Sequence, residues 1–297
     1  MMISVQPTQP GVASPSESAS IAAVSAPLRV LALLPEPETA ESCLRCAVAA
    51  VEGRHARINA IHIGFDPRYV LASAEEVGIQ ALREREEGTA DQRLLKVKAA
   101  FDRFTQSTSG DPPISWKNDQ GDVDENIRAE AKTADLVVIG QPVHLDASDA
   151  LHSVIFHSHR PTLLAPRGLR PGALTIGRHV VVGWKPTSSA LRAVTALAPW
   201  LKQAERVTVA CIHTPKRQPY EPSARDLFTR LGIPVEIVSL EKDSRSVGDR
   251  LIAETKQLGG DCLLIGAFQH GQLWETILGG VTRDVLAHAD IPVFMVH

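Results

Sequence analysis

The chain has 297 residues, room for two domains of ordinary size, and its content is 44% hydrophobic but only 4% aromatic. Packing must therefore come from Ala, Val, Leu and Ile, as in parallel sheets covered by helices, and few rings are left for stacking bases. With 31 Lys and Arg against 34 Asp and Glu the formal charge is −3, and no run of like charge is long enough for a nucleic-acid tail, so nucleic acid is excluded as a partner.

The first 27 residues, rich in Ser, Pro and Ala, have neither a basic flank nor a long apolar stretch. They read as a disordered tail rather than a secretory signal or membrane span. "LRVLALLP" from Leu28 is a first strand, followed by a polar turn and a helix whose stripe is Leu44, Ala47, Val48 and Val51. Cys43 and Cys46 form a Cys-x-x-Cys pair there. The helix should start near Thr39, which puts Cys43 a turn inside and both thiols off the stripe, so they read as small surface residues rather than a redox pair. With Cys211 and Cys262 they are too scattered for a disulfide framework, and a reducing cytoplasm suits them.

"RINAIHIGF" is a second strand; the segment 67–109 carries a helical pattern around "ALREREEGTADQRLLKVKAAFDRF" but no assigned structure. A helix with Ile127, Ala131 and Ala134 on one face then leads into the apolar strand "DLVVIG". His152, His157 and His159 fall in and after a last helix. Two residues apart, His157 and His159 share a face only on a strand, so no metal site is expected. The half closes with the strand "RPTLLAP" from Arg160, and 167–177, "RGLRPGALTIG", reads as a linker.

The order then repeats. "RHVVVGWKP" from Arg178 is a first strand, followed by a helix with Leu191, Val194, Leu197 and Leu201 as its stripe; "RVTVACIH" and "PVEIVSL" are later strands. "VDENIRAEAKTADLVVIGQP" from Val123 matches "VGDRLIAETKQLGGDCLLIGAF" from Val247, Ala129-Glu130-x-Lys132 answering Ala253-Glu254-x-Lys256. In the second copy Leu251, Ile252 and Thr255 face one way, and "IPVFMVH" is the last strand. Each half, 28–166 and 178–297, should be an α/β domain with a mainly parallel five-stranded sheet, the two related by a pseudo-twofold.

The run "DCLLIGAFQHGQLWETILGGVTRDVLAHADIPVFMVH" resembles the C-terminal signature of the universal stress protein family, and the first half resembles it at "ADLVVIGQP" and "RPTLLAP". The resemblance implies two Rossmann-like domains of the adenine nucleotide alpha hydrolase-like type, a cytoplasmic location, a homodimer through the last strand, and a stress-response role rather than a defined reaction. One branch of the family binds ATP through Gly-x2-Gly-x9-Gly-Ser/Thr, with an Asp at the end of the first strand contacting adenine.

Against that pattern Gly266 and Gly279 match, Gln269 replaces the middle glycine, and Gly280 replaces the Ser or Thr, leaving Thr282 as the nearest hydroxyl. Lys185 stands in place of the Asp; with three donors and no acceptor it cannot take the adenine amino proton but can pair with a phosphate. Amides opening a helix at Gly279, Gly280 and Val281 would favour an anion, and His270 in the loop could donate to it. In the first half Gly140 is followed by no glycine pair. Trp184 and Trp274 read as packing residues.

The expectation is a non-catalytic stress-response binding or regulatory protein with a degenerate nucleotide loop, ATP being its candidate cofactor. The alternatives are an ATP-binding switch with slow hydrolysis and a small-molecule enzyme using the cleft at the strand C-termini. A small molecule or another protein could be its partner; no catalytic residue, metal or membrane contact is expected.

Overall fold

The structure, a computed structural model, describes residues 26–65, 74–169, 172–213, 219–267 and 280–297. Almost all of the N-terminal tail, Gln269, His270, Trp274 and Gly279 lie outside the described residues. The first half runs β1 (Leu28–Leu33), α1 (Pro37–Ala49), β2 (Ala56–Phe65), α2 (Ala74–Glu87), α3 (Ala90–Gln106), β3 (Ile114–Gly121), α4 (Val123–Ala131), β4 (Leu136–Gly140), α5 (Leu145–His157) and β5 (Thr162–Ala165). The second runs β6 (His179–Trp184), α6 (Ser188–Ala196), α7 (Ala198–Leu201), β7 (Arg206–His213), α8 (Glu221–Leu231), β8 (Glu236–Glu241), α9 (Val247–Gln257), β9 (Cys262–Gly266), α10 (Gly280–His288) and β10 (Val293–Val296).

Local chemistry explains several helix starts. Thr89 and Gln92 form a reciprocal capping box at α3, while Asp122, Thr187 and Ser246 each accept an amide of the first turn of α4, α6 and α9. Pro37 opens α1, where its missing N–H is no loss.

The strands form one sheet of ten, in the order β3-β2-β1-β4-β5-β10-β9-β6-β7-β8. Every neighbouring pair is parallel except β5 with β10, which is antiparallel with Leu163 opposite Phe294. The two halves therefore join edge to edge about a pseudo-twofold, and the strand expected to mediate homodimerisation is paired on both sides within one chain. Residues alternate between two continuous apolar layers. Val138, Leu163, Phe294 and Val182 face the layer of α1, α3, α6, α7 and α8, and Val137, Leu164, Met295 and Val181 face that of α4, α5, α9 and α10.

Three expectations need correction. Cys43 and Cys46 are 1% and 0% exposed, because α1 is covered on nearly every side; Cys43 Sγ reaches the Val138 carbonyl at 3.4 Å. Leu191, read as part of the α6 stripe, is 46% exposed, and the buried face carries Ala190, Ala193 and Val194 instead. The strand β3 went unread because "ISWKNDQG" is an edge strand with a mostly polar sequence, so it lacks an apolar run. The segment 67–109 holds α2 and α3, and α3 packs Val97, Ala100 and Phe101 into the core beside α1.

All four cysteines are free and buried. Burial pushes the Cys43 thiol well up, with Cys46 adding to it, and raises Cys211 to about 12, helped by the Glu221 charge. The thiolate is the reactive form, so a disulfide-exchange thiol titration at neutral pH should leave the native chain unlabelled and register the cysteines only on unfolding. Rapid labelling of the native chain at Cys43 and Cys46 would contradict this placement.

Candidate functional site

In the second half the C-terminal ends of β6, β7 and β9 and the starts of α6, α8, α9 and α10 surround a cavity of about 430 Å³. That is within the range of roughly 300–1,000 Å³ usual for small-molecule sites, and strand C-termini are where open α/β sheets place ligands. Its walls include Trp184, Ala210, Ile212, Val247, Leu251 and Ile265 on the apolar side, and Thr187, Ser189, Tyr220 and Thr282 on the polar side. Lys185 and Lys242 are the charged residues among the described lining.

Of the expected site residues, Gly266, Gly280, Val281, Thr282 and Lys185 come together on this cavity. Lys185 is exposed at the end of β6, and Gly280 opens α10. Thr282 is only 3% exposed, set into the wall. Gln269, His270 and Gly279 belong to the loop outside the described residues.

The glycines have separate reasons for being there. A Cβ on Gly266 would stand 2.4 Å from the Ala190 nitrogen and 2.6 Å from the Ser189 carbonyl carbon, so the start of α6 can lie on β9 only over a glycine. Gly140 plays the same part in the first half, where a Cβ would meet Thr39 Cβ at 2.3 Å. Gly280 meets nothing within 4 Å among the described residues. Gly266→Ala is therefore expected to cost about 1–3 kcal/mol through overpacking, whereas Gly280→Ser should leave the urea midpoint unchanged. Equal midpoints for Gly266→Ala and the unaltered chain would remove the packing explanation.

Sequence reasoning did not single out Tyr220 or Lys242. Tyr220 precedes α8 and lies 5.5 Å, ring to ring, from His213. His213 Nε2 is 2.7 Å from Glu221 Oε1, and the Ser239 hydroxyl donates to the same carboxylate, which ties Glu221 away from the cavity lining. The Lys242 amide donates to the His213 carbonyl at 3.1 Å, placing its side chain beyond β8. Trp184 packs as expected, 6.3 Å from Phe228 with Nε1–H donating to Ser223 Oγ, while also lining the cavity. Tyr220 and Lys242 sit outside the repeated helix-strand unit, in stretches with no motif of their own.

The equivalent place in the first half is closed. Glu36, only 3% exposed, turns its carboxylate onto the start of α5. The Val143 and His144 amides donate to Oε1 and Oε2 at 2.9 Å each, and the Thr39 hydroxyl donates to Oε1 at 3.1 Å. An internal carboxylate thus occupies the position where helix-opening amides favour an anion. Beside it Arg93 pairs with Asp146 at 3.3 Å and donates to the Gly88 carbonyl. His62 donates from Nδ1 to the Leu34 carbonyl at 2.8 Å, and burial lowers its pKa, which favours the neutral ring. The hollows described there measure about 40 Å³ beside His62 and about 120 Å³ beside Glu36.

Glu36, Glu38 and His144 bring ligand-type atoms within 4.8 Å of one another. The group suits a cation poorly, because two helices, α1 and α5, point their positive ends at it and Arg93 and Lys96 line the adjoining hollow. Of the histidines at 152, 157 and 159, His152 and His157 stand edge to face with ring centres 5.8 Å apart, and His157 also faces Asp124 at 3.4 Å.

These features define a tandem α/β protein with an open cleft in one half and a self-filled one in the other. Residues 178–297 match the universal stress protein family, so the C-terminal half is a universal stress protein domain. The whole chain has that fold twice over. A universal stress protein from Archaeoglobus fulgidus superposes with TM-score 0.54 at 13% identity, over 90% of this chain and 95% of its own. A functionally unknown protein from Pseudomonas aeruginosa does so with TM-score 0.55 at 12% identity, over 91% and 92%. No curated protein matches the sequence. Among the described residues no helix is long and apolar enough to cross a membrane.

Proposed function

We propose that the chain is a non-catalytic stress-response protein in which the C-terminal half binds a small anionic ligand, a nucleotide first, and the N-terminal half serves as its permanent structural partner. The contrast between about 430 Å³ of open cleft in the second half and the Glu36-filled equivalent place in the first, where hollows of about 40 and 120 Å³ are described, carries this reading. The described lining, apolar on one side with Lys185, Lys242, Thr187, Ser189 and Thr282 around it, supports binding of an anion. The intramolecular β5–β10 pairing supports a working unit in which one chain supplies both halves, and self-association would use another surface.

Thermal unfolding with and without ATP and magnesium tests the nucleotide part. Ligand at about 100 times its Kd stabilises the folded state by about 2.7 kcal/mol, a shift of several degrees in Tm. No shift at millimolar ATP, ADP or AMP would sink it. Phosphate release from ATP above background would instead favour the slow-hydrolysis switch.

A further inference from the structure

The two lysines of the open cleft stand at different places along the sheet. Lys185 follows β6 directly and Lys242 follows β8 directly, with β7 between them in the sheet. Two strand spacings separate those ends, about 10 Å. The start of α10 opens on the same cavity, and its chain arrives from β9, the neighbour of β6 on the side away from β7. Positive charge is therefore placed at both ends of the cleft: the α10 amides with Lys185 at one, Lys242 at the other. Between them the wall is apolar, through Ala210, Ile212, Leu251 and Ile265, with the Tyr220 ring at the side. The described lining residues include no carboxylate; Glu221, whose Oε1 accepts from His213 and Ser239, stands outside that lining.

We infer that this cleft takes an elongated ligand with an anionic group at each end and an apolar, ring-bearing middle, the chemistry of a nucleoside carrying separate phosphate groups on its 3′ and 5′ oxygens. This rests on the reading of the cleft as an anion-binding site and specifies its ligand. A neutral adenine edge at the Lys242 or Lys185 end would leave a cation facing the ring amino group, donor against donor. A second phosphate there turns the same lysine into a charge-assisted partner.

The test is titration calorimetry on the full chain with adenosine 3′,5′-bisphosphate, AMP and pyrophosphate, using the unaltered protein, Lys242→Met and Lys185→Met. Circular dichroism confirms folding of each variant, both substitutions being at exposed positions. The bisphosphate should bind about tenfold more tightly than AMP, with pyrophosphate weaker than either. Lys242→Met should abolish the advantage of the bisphosphate by weakening it towards AMP, without weakening AMP, and Lys185→Met should weaken both nucleotides. Equal affinities for AMP and the bisphosphate, or an advantage that survives Lys242→Met, overturn the two-ended ligand while leaving an anion site in place. Tightest binding by pyrophosphate assigns the cleft to a compact anion and overturns it as well. Failure of all three probes removes the anion-binding reading together with it.

Discussion

Replacing Trp200 by Ala is expected to lower the stability of the chain by about 3–5 kcal/mol, the usual cost of deleting a buried large aromatic. Trp200 is 5% exposed and belongs to the second half, yet its indole N–H donates to the Ala50 carbonyl at 3.2 Å and the Arg54 guanidinium lies 4.9 Å over its ring. Phe294 of β10 is 6.5 Å from the same ring. One side chain thus meets the end of α1, the following turn and the junction strand. Removing it leaves a cavity and an unpaired carbonyl, and exposes the guanidinium that burial currently holds at a lowered pKa. Urea unfolding followed by circular dichroism measures the loss, and a midpoint shift equivalent to less than about 1 kcal/mol would show that the halves are held without this anchor. Trp200→Phe should recover most of the packing but not the Ala50 hydrogen bond.

Glu36→Ala should be the next most damaging change, at about 1–3 kcal/mol, the cost of the buried Thr39 hydroxyl left unpaired, with the half-buried Val143 and His144 amides losing their acceptor as well. Glu36→Gln keeps the shape and isolates the charge. Burial pushes the Glu36 carboxyl above its ordinary 4.5, against the amides of Val143 and His144 and the Thr39 hydroxyl, which pull it down. Its folded pKa therefore exceeds its unfolded one, so the folded state takes up this proton first. The contribution is fully present below the unfolded value and is lost as pH rises through the folded value. Stability of the unaltered chain relative to Glu36→Gln should accordingly increase on acidification from neutral pH into that window. A difference that stayed flat, or ran the other way, would mean that the hydrogen bonds outweigh burial.

The sequence was most informative where one physical requirement dominated a segment. The buried strands β4 and β9 are apolar throughout, because they are covered on both faces, and the helices before them show a clean face, so the internal repeat and the α/β order could be read directly. The edge strand β3 could not, since one unpaired edge and a solvated surface permit Lys117, Asn118 and Asp119. α1 misled for the opposite reason. Cys43 and Cys46, off the stripe of Leu44, Ala47, Val48 and Val51, read as surface but serve close packing between sheet and neighbouring helix.

The candidate site divides in the same way. Gly266 was legible by its spacing, but its reason, the backbone of α6 pressed against it, depends on a contact between residues far apart in sequence. Glu36 was passed over in "PEPET" because nothing local says that a carboxylate there will reach the amides of Val143 and His144, more than a hundred positions away. Lys185 was found by comparing strand ends; Lys242 was not, since only the sheet order brings the end of β8 to the same cavity.

The antiparallel pairing of β5 with β10 also settles how the molecule responds to dilution. In an assembly of separate subunits, lowering the concentration pulls such a contact apart by mass action. Here the partner strands are joined through the chain itself, so their local concentration is set by the connection rather than by the solution. The paired halves persist however few copies of the chain are present, and each copy carries its open cleft already supported.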